Sequence, residues 1–428
     1  MLLQFSFKNF KSFKDITVMN FIAPNGMLKY YTHGAIDHKN ILRAAAVYGA
    51  NASGKTKLFE AFKFMRSVVV PPKRGGKIPI LDYWQTKYAP FRLNTYSSGD
   101  NSIFEVVVVV ERAQYKYGFE LNQTEIQKEW LYLNGENDVC VFKRDNAKID
   151  YNKEYINSTI ADSIISAEMV SPSVGFLSVL QTLNEPLAKR IINWFENAVV
   201  ISANEIGDSM PIKALSDEKR KSYVVKFLKS FDINIEDIAL HEMNVDDIPE
   251  KVRMMLGEDN IKGKVYDGIR TMHKLYNERY ERNGNVWLSM EKDESYGTNR
   301  LMSLSWPILN AFLSDSVIFI DEFDSGIHPL VAQMIVELFY KLTTNAQLII
   351  NTQNAAFLKY KTSDNKRLFV KDQIFLVSKN RYGESSVSTL SEYGSNIQRN
   401  LENLYLEGDF GAIPYIVLDR MDEIFENK

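Results

Sequence analysis

Eight consecutive residues constrain this chain more than anything else in it: Gly49-Ala50-Asn51-Ala52-Ser53-Gly54-Lys55-Thr56. Glycines at the first and sixth positions let main-chain N–H groups close around phosphate oxygens. The helix start behind them favours negative charge. A lysine then reaches the outer phosphates and a hydroxyl is left for Mg²⁺. At average residue frequencies such a match arises by chance in roughly one chain in a hundred of this length. Its setting strengthens it. Ala44–Tyr48 reads as a short buried strand running into the loop, and Leu58, Phe59, Phe62, Met65 and Val69 recur with helical spacing after it. Strand, glycine loop and helix together predict a βα unit in a parallel sheet.

A second element sits far along the chain. Val317-Ile318-Phe319-Ile320 is wholly apolar and is followed by Asp321 and Glu322. Buried parallel strands read this way, and ligands collect at their C-terminal ends. Asp321 is placed to hold Mg²⁺ through water, and Glu322 to orient and polarise an attacking water. Between Thr56 and Asp321 lie more than 200 residues, far more than a minimal nucleotide-binding core needs, so a large insertion is expected. A third element, Glu294-Ser295-Tyr296-Gly297-Thr298, precedes the amphipathic stretch Asn299–Leu313. Taken alone it reads as a helix cap; a helix start with glycine and serine is also an anion site.

The remaining pattern divides the chain. Residues 2–8 alternate as a half-buried strand. Ile103–Val110, Gln114–Leu121, Glu125–Leu133 and Val139–Lys143 read as an antiparallel meander. From about 155 to 282 the pattern is mostly helical, with Leu187–Phe195 and Lys219–Phe231 as examples. Val286–Met290, Gln347–Ile350 and Ile374–Val377 are strand candidates; Leu330–Leu342, Leu401–Leu406 and Ile413–Phe425 look helical. The predicted organisation is an α/β head built from 1–150 and 286–428 around a helical insertion at 151–285.

In this order the motifs resemble the ATP-binding-cassette and SMC-head ATPases. They are most similar to AAA-annotated bacterial ATP-binding proteins related to the ATPase half of overcoming-lysogenization-defect proteins. The resemblance also takes in Asn9-Phe10-Lys11-Ser12-Phe13, Pro90–Leu93, Tyr117–Glu120, Asp321–Pro329, Asp372–Ile374 and Tyr405–Pro414. It implies an ABC/SMC-head-like P-loop ATPase fold with an antiparallel β meander, and ATP with Mg²⁺ as cofactors. It further implies a head-to-head homodimer or larger homo-oligomer, in which Lys55, Thr56, Asp321 and Glu322 of one subunit face Ser295 and Gly297 of the other. The family places a histidine after the next strand; here Gln353 stands there, and this bears on hydrolysis rather than binding. A Mg²⁺-contacting glutamine is also expected, with Gln85 as the candidate.

The leading reading is an ATP-dependent regulator in bacterial anti-phage defence, acting on a separately encoded effector such as a nuclease. An ATP-locked clamp with little turnover and an SMC-like DNA-repair ATPase stand beside it. The second of these is disfavoured by the lack of a sustained heptad repeat. Net charge is −3, which forces no nucleic-acid or membrane partner. Lys73-Arg74-Gly75-Gly76-Lys77 reads first as a solvated loop. Arg270, Lys274, Arg279 and Arg282, with Tyr276 and Tyr280, read first as a charged helix face. Each is a secondary candidate for nucleic acid. His33 and His38 around Asp37 read as incidental rather than metal-binding. One cysteine, Cys140, excludes an internal disulfide. No signal peptide or spanning helix is legible, so a cytoplasmic protein is expected, and the chain's end soon after the core predicts no fused effector.

Overall fold

A computed structural model describes residues 1–36, 39–71, 73–74, 78–79, 83–133, 138–202, 210–243, 265–394 and 400–413. Two sheets clasp one helix. The parallel sheet runs in the order Val199–Ile201, Val317–Ile320, Gln347–Asn351, Ala44–Gly49 and Ile374–Lys379, and Ser385–Thr389 closes it as an antiparallel edge. Its central strands are buried on both faces, which is why they read as unbroken apolar runs. The second sheet is antiparallel: Lys148–Tyr151, Val139–Asp145, Ile126–Leu133, Ala113–Leu121, Ser102–Val110, Leu2–Lys8 and Thr17–Asn20. The expected meander is therefore longer than its four strands and takes in the chain's first strand.

The helix Lys55–Val69 lies between these sheets. Phe62 stacks on Phe319 of the parallel sheet at 4.4 Å and meets Phe5 of the antiparallel sheet edge-on at 5.3 Å. Aromatic burial on both sides holds the helix, and with it the loop at its N-terminus, in one position. Gln347 ties the sheets together: its side chain accepts from the Leu2 N–H and donates to the carbonyls of Leu2 and Leu42. On the other face of the parallel sheet a second core gathers the helices Glu218–Lys229, Tyr296–Leu313 and Pro329–Lys341.

The stretch 151–285 is not wholly helical. Pro186–Asn197 and Glu218–Lys229 are helices, but Asp237–Met243, Val265–Tyr276 and Arg282–Ser289 form a three-stranded antiparallel sheet. Arg270 and Lys274 lie on one strand and Arg282 on the next, so the basic helix face does not exist. The recurrence of charge at intervals of three to five residues is coincidental. Strand pairing wins because Thr271 and Ile238 are cross-strand partners with no exposure at all. Lys73–Arg74 and Ile78–Pro79 pair antiparallel where a plain loop is expected; residues 75–77 lie outside the described ones, as do Asp37, His38 and, beyond Ile413, the stretch that the sequence pattern reads as helical.

Candidate functional site

The site grows from the C-terminal ends of three neighbouring parallel strands. Ala44–Gly49 delivers the glycine loop, Val317–Ile320 delivers Asp321 and Glu322, and Gln347–Asn351 leads to Gln353. The loop is sculpted by contacts that only glycine permits. A Cβ on Gly49 would stand 2.3 Å from the Val377 carbonyl oxygen. Gly54 has φ of +119°, and a Cβ there would meet the Ser385 Oγ at 2.7 Å. Ser385 Oγ in turn donates to the Ser53 carbonyl at 2.6 Å, so the last hairpin braces the loop from behind.

Lys55 is only 7% exposed and donates to the carbonyls of Gly49 and Ala50, at 2.6 and 3.0 Å. Burial lowers its proton affinity, while Asp321 and Glu322 pull the other way. The ammonium is thus parked on the rim of the loop it would serve. Thr56 Oγ1 donates to Asp321 Oδ1 at 3.3 Å, and the Asn351 amide donates to the same oxygen. Burial raises the Asp321 carboxyl above the usual range, with the Glu322 charge adding to it. A buried carboxylate beside a hydroxyl at a glycine loop is the oxygen-donor set that Mg²⁺ takes with phosphates. These residues, and the close-fitting glycines, suit a nucleoside triphosphate with its metal.

Glu322 adopts φ of +47°, uncommon for a residue with a side chain. Its carboxylate is exposed and has no hydrogen-bond partner among the described residues. Gln353 is likewise exposed and unpartnered, although its neighbour Thr352 is anchored to Asp324 Oδ1 at 2.6 Å. Ser295 caps the helix Tyr296–Leu313 by accepting from the Thr298 N–H, at 3.1 Å. Gly297 faces the Gly326 carbonyl, 2.9 Å from where a Cβ would stand, and the Tyr296 ring lies against Gly326 itself. The Ser295–Gly297 segment therefore packs on the loop after Glu322 in its own chain. Just before it, Glu294 accepts from Thr271 Oγ1 and bonds His273 Nε2, both at 2.6 Å.

One sequence expectation changes here, and one residue is added. Gln85 donates to the Thr124 carbonyl at 2.6 Å. Its neighbour Trp84 packs on Phe64, which lies about 12 Å along the helix from Thr56 at 1.5 Å per residue. Gln85 is therefore not at the metal end. Arg300 is the residue that sequence reading missed. Its guanidinium donates from Nη2 to the carbonyls of both Asp321 and Glu322, at 3.1 Å each, and the residue is 1% exposed. Nε and Nη1 are buried without partners. Burial lowers its proton affinity; Tyr296, Glu322, Asp321 and Asp324 oppose that. A signal was present: Arg300, Leu304 and Ile308 share one helical stripe, and a charge on a buried stripe demands partners. His33, by contrast, is a core residue bonded to the Ala346 carbonyl at 3.0 Å. Among the described residues no cluster of three or more His, Cys, Asp or Glu could hold a metal, and no helix is long and apolar enough to cross a membrane.

Residues 44–155 and 192–359 match a protein-family model described as "AAA domain, putative AbiEii toxin, Type IV TA system". These segments contain the glycine loop, Ser295, Gly297, Asp321, Glu322 and Gln353. No curated protein matches the chain. Among solved structures it is similar to an SMC head bound to the C-winged helix domain of ScpA. That pair has 13% identity and a TM-score of 0.44, covering 91% of this chain and 97% of that one. It is also similar to the SMC head domain from Thermotoga maritima, at 14% identity and a TM-score of 0.39, covering 91% and 98%.

Proposed function

The chain belongs to this AAA-domain family, and from that membership we propose that it binds and hydrolyses ATP with Mg²⁺ between two copies of itself. The observation that carries the reading is the 3.3 Å bond between Thr56 and Asp321, which joins the phosphate loop to the acid strand across most of the chain. Loop N–H groups and Lys55 would hold the phosphates, and Thr56 and Asp321 the metal. Bound Mg²⁺ supplies charge neutralisation on the transferring phosphate. Lys55 exchanges the Gly49 and Ala50 carbonyls for phosphate oxygens. Glu322 orients the attacking water and Gln353 donates a hydrogen bond at the outer phosphate. The exposed, unpartnered Glu322 and Gln353 support a second copy, whose Ser295 and Gly297 would complete the site. We place this activity in a cytoplasmic regulator of a separately encoded effector in anti-phage defence. A family description that names a toxin–antitoxin system, a two-component arrangement, supports such a partner.

Glu322→Gln tests the reading. The variant should bind ATP with unchanged affinity, hydrolyse it roughly a hundredfold more slowly, and accumulate as a dimer by light scattering with ATP and Mg²⁺. Wild-type turnover in the variant, or monomer throughout for both proteins, sinks the shared site. The uncharged Gln353 favours a slower, clamp-like variant of the same function, which its replacement by histidine would separate.

A further inference from the structure

The turn that carries Gln353 is fastened on both sides of that residue. Asn351 donates its side-chain amide to Asp321, and its carbonyl accepts from the Phe323 N–H at 3.0 Å. The Thr352 N–H reaches the Val47 carbonyl at 3.2 Å. The Thr352 hydroxyl donates to Asp324 Oδ1 at 2.6 Å and accepts from the Asn354 N–H at 3.0 Å. The Asn354 side chain accepts from the Ala356 N–H at the start of the short 3₁₀ turn Ala355–Leu358. Of these four residues only Gln353 is exposed, and it has no bond among the described residues.

One more fastening comes from the phosphate-loop strand. Tyr48, the residue before Gly49, has no exposed surface, and its hydroxyl donates to the Asn354 carbonyl at 3.2 Å. Packing asks only for the ring, which lies against Tyr405 with centroids 5.4 Å apart. A buried hydroxyl costs free energy unless it is bonded, and the partner it finds here is the residue after Gln353. Burial, and then the charges of Asp324 and Tyr405, hold that hydroxyl protonated well above the ordinary tyrosine range, so it stays a donor. The Asn354 carbonyl also accepts from the Phe357 N–H at 3.3 Å. The turn therefore does not need Tyr48 to satisfy that carbonyl, and what the hydroxyl adds is position. Its bond starts one residue from Gly49 and ends one residue from Gln353, so one side chain sets the phosphate loop and Gln353 relative to each other.

We propose that Tyr48 is a positioning residue for Gln353: its hydroxyl locks the turn at Asn354 to the phosphate-loop strand, so that Gln353 meets a phosphate the loop has already placed. The assignment rests on the ATP-hydrolysis reading of the site and deepens it. Tyr48, wholly buried, acts only through Gln353. A double-mutant cycle on turnover tests this. Tyr48→Phe keeps the ring and should lower kcat about fivefold, the effect of one lost neutral hydrogen bond on placement. KM and calorimetric ATP affinity should stay within twofold of wild type. Gln353→Ala should lower kcat at least as far, and Tyr48→Phe added to it should cost nothing more. A merely structural hydroxyl would lower kcat by the same factor in both backgrounds, and that result overturns the proposal. Wild-type kcat in Tyr48→Phe overturns it as well. Gln353→Ala with wild-type kcat removes Gln353 from the reaction, and the role of Tyr48 with it, while the phosphate loop stands. Wild-type protein that binds ATP without turnover overturns the hydrolysis reading and this assignment together.

Discussion

Single side chains set the chemistry. Gln353 follows a strand whose last residue, Asn351, bonds Asp321, so it emerges beside the acids. A glutamine donates a hydrogen bond without charge, whereas a protonated histidine donates a charge-assisted one of about twice the strength. Gln353→His should therefore raise turnover about 5- to 30-fold, the equivalent of ~1–2 kcal/mol at the transition state. ATP affinity should stay constant. Steady-state phosphate release at saturating ATP measures this, and equal rates with a verified dimer would remove Gln353 from the site. His33 makes a different prediction. Burial lowers its pKa to about 3, so the folded protein keeps the ring neutral while the unfolded chain protonates it near the ordinary value of about 6.5. The unfolded state then binds more protons between those values, and stability falls as pH drops from about 6.5 towards 3. His33→Gln, which can still donate to the Ala346 carbonyl, should flatten that slope in thermal melts at pH 7 and pH 5. An identical slope would show that other groups dominate.

At the scale of elements, one side chain of the helix Tyr296–Leu313 hydrogen-bonds the end of the strand Val317–Ile320. Arg300 gathers the carbonyls of Asp321 and Glu322 and so holds the left-handed turn that presents the Glu322 carboxylate. Arg300→Met keeps the stem's packing and removes the guanidinium from both carbonyls; that of Glu322 keeps the Ser325 N–H at 3.1 Å, while that of Asp321 loses its side-chain donor, at a cost of ~1–3 kcal/mol. Turnover should fall at least tenfold while ATP affinity, set at Lys55 and Thr56, changes less than threefold. A variant that melts earlier but turns over normally would reduce Arg300 to a structural role. The N-terminus of this helix is also tied to the three-stranded sheet, where Thr271 and His273 bond Glu294 just before Ser295. Of that sheet, Val286–Met290 reads as a strand from sequence, whereas the stretch up to Arg282 reads as helix, because charges spaced by three to five residues mimic a helix face when strand partners are distant. The parallel strands were legible because burial on both faces writes itself into contiguous residues.

The whole molecule clasps one helix between two sheets, packs further helices on the other face of the parallel sheet, and sets the phosphate loop at the end of the clasped helix. Lys55→Ala acts at this scale, since ATP bridging two copies would need the loops of both. It should abolish ATP binding by calorimetry and, with it, any nucleotide-driven dimer seen by light scattering. A dimer that persists with the variant would mean that the copies associate without nucleotide. The glycine loop, the acid pair after a buried strand and the βα order were all determined by the sequence alone. Each is a local demand: a main-chain angle of +119° that suits Gly54, a lysine and a hydroxyl following it directly in the chain, or an apolar run too short for a helix. Arg300, the displacement of Gln85, the Glu294 bonds and the Tyr48 bond to the Asn354 carbonyl were decided only by tertiary structure. Each joins residues far apart in sequence, and their side chains carry no local mark of the partner that packing brings to them.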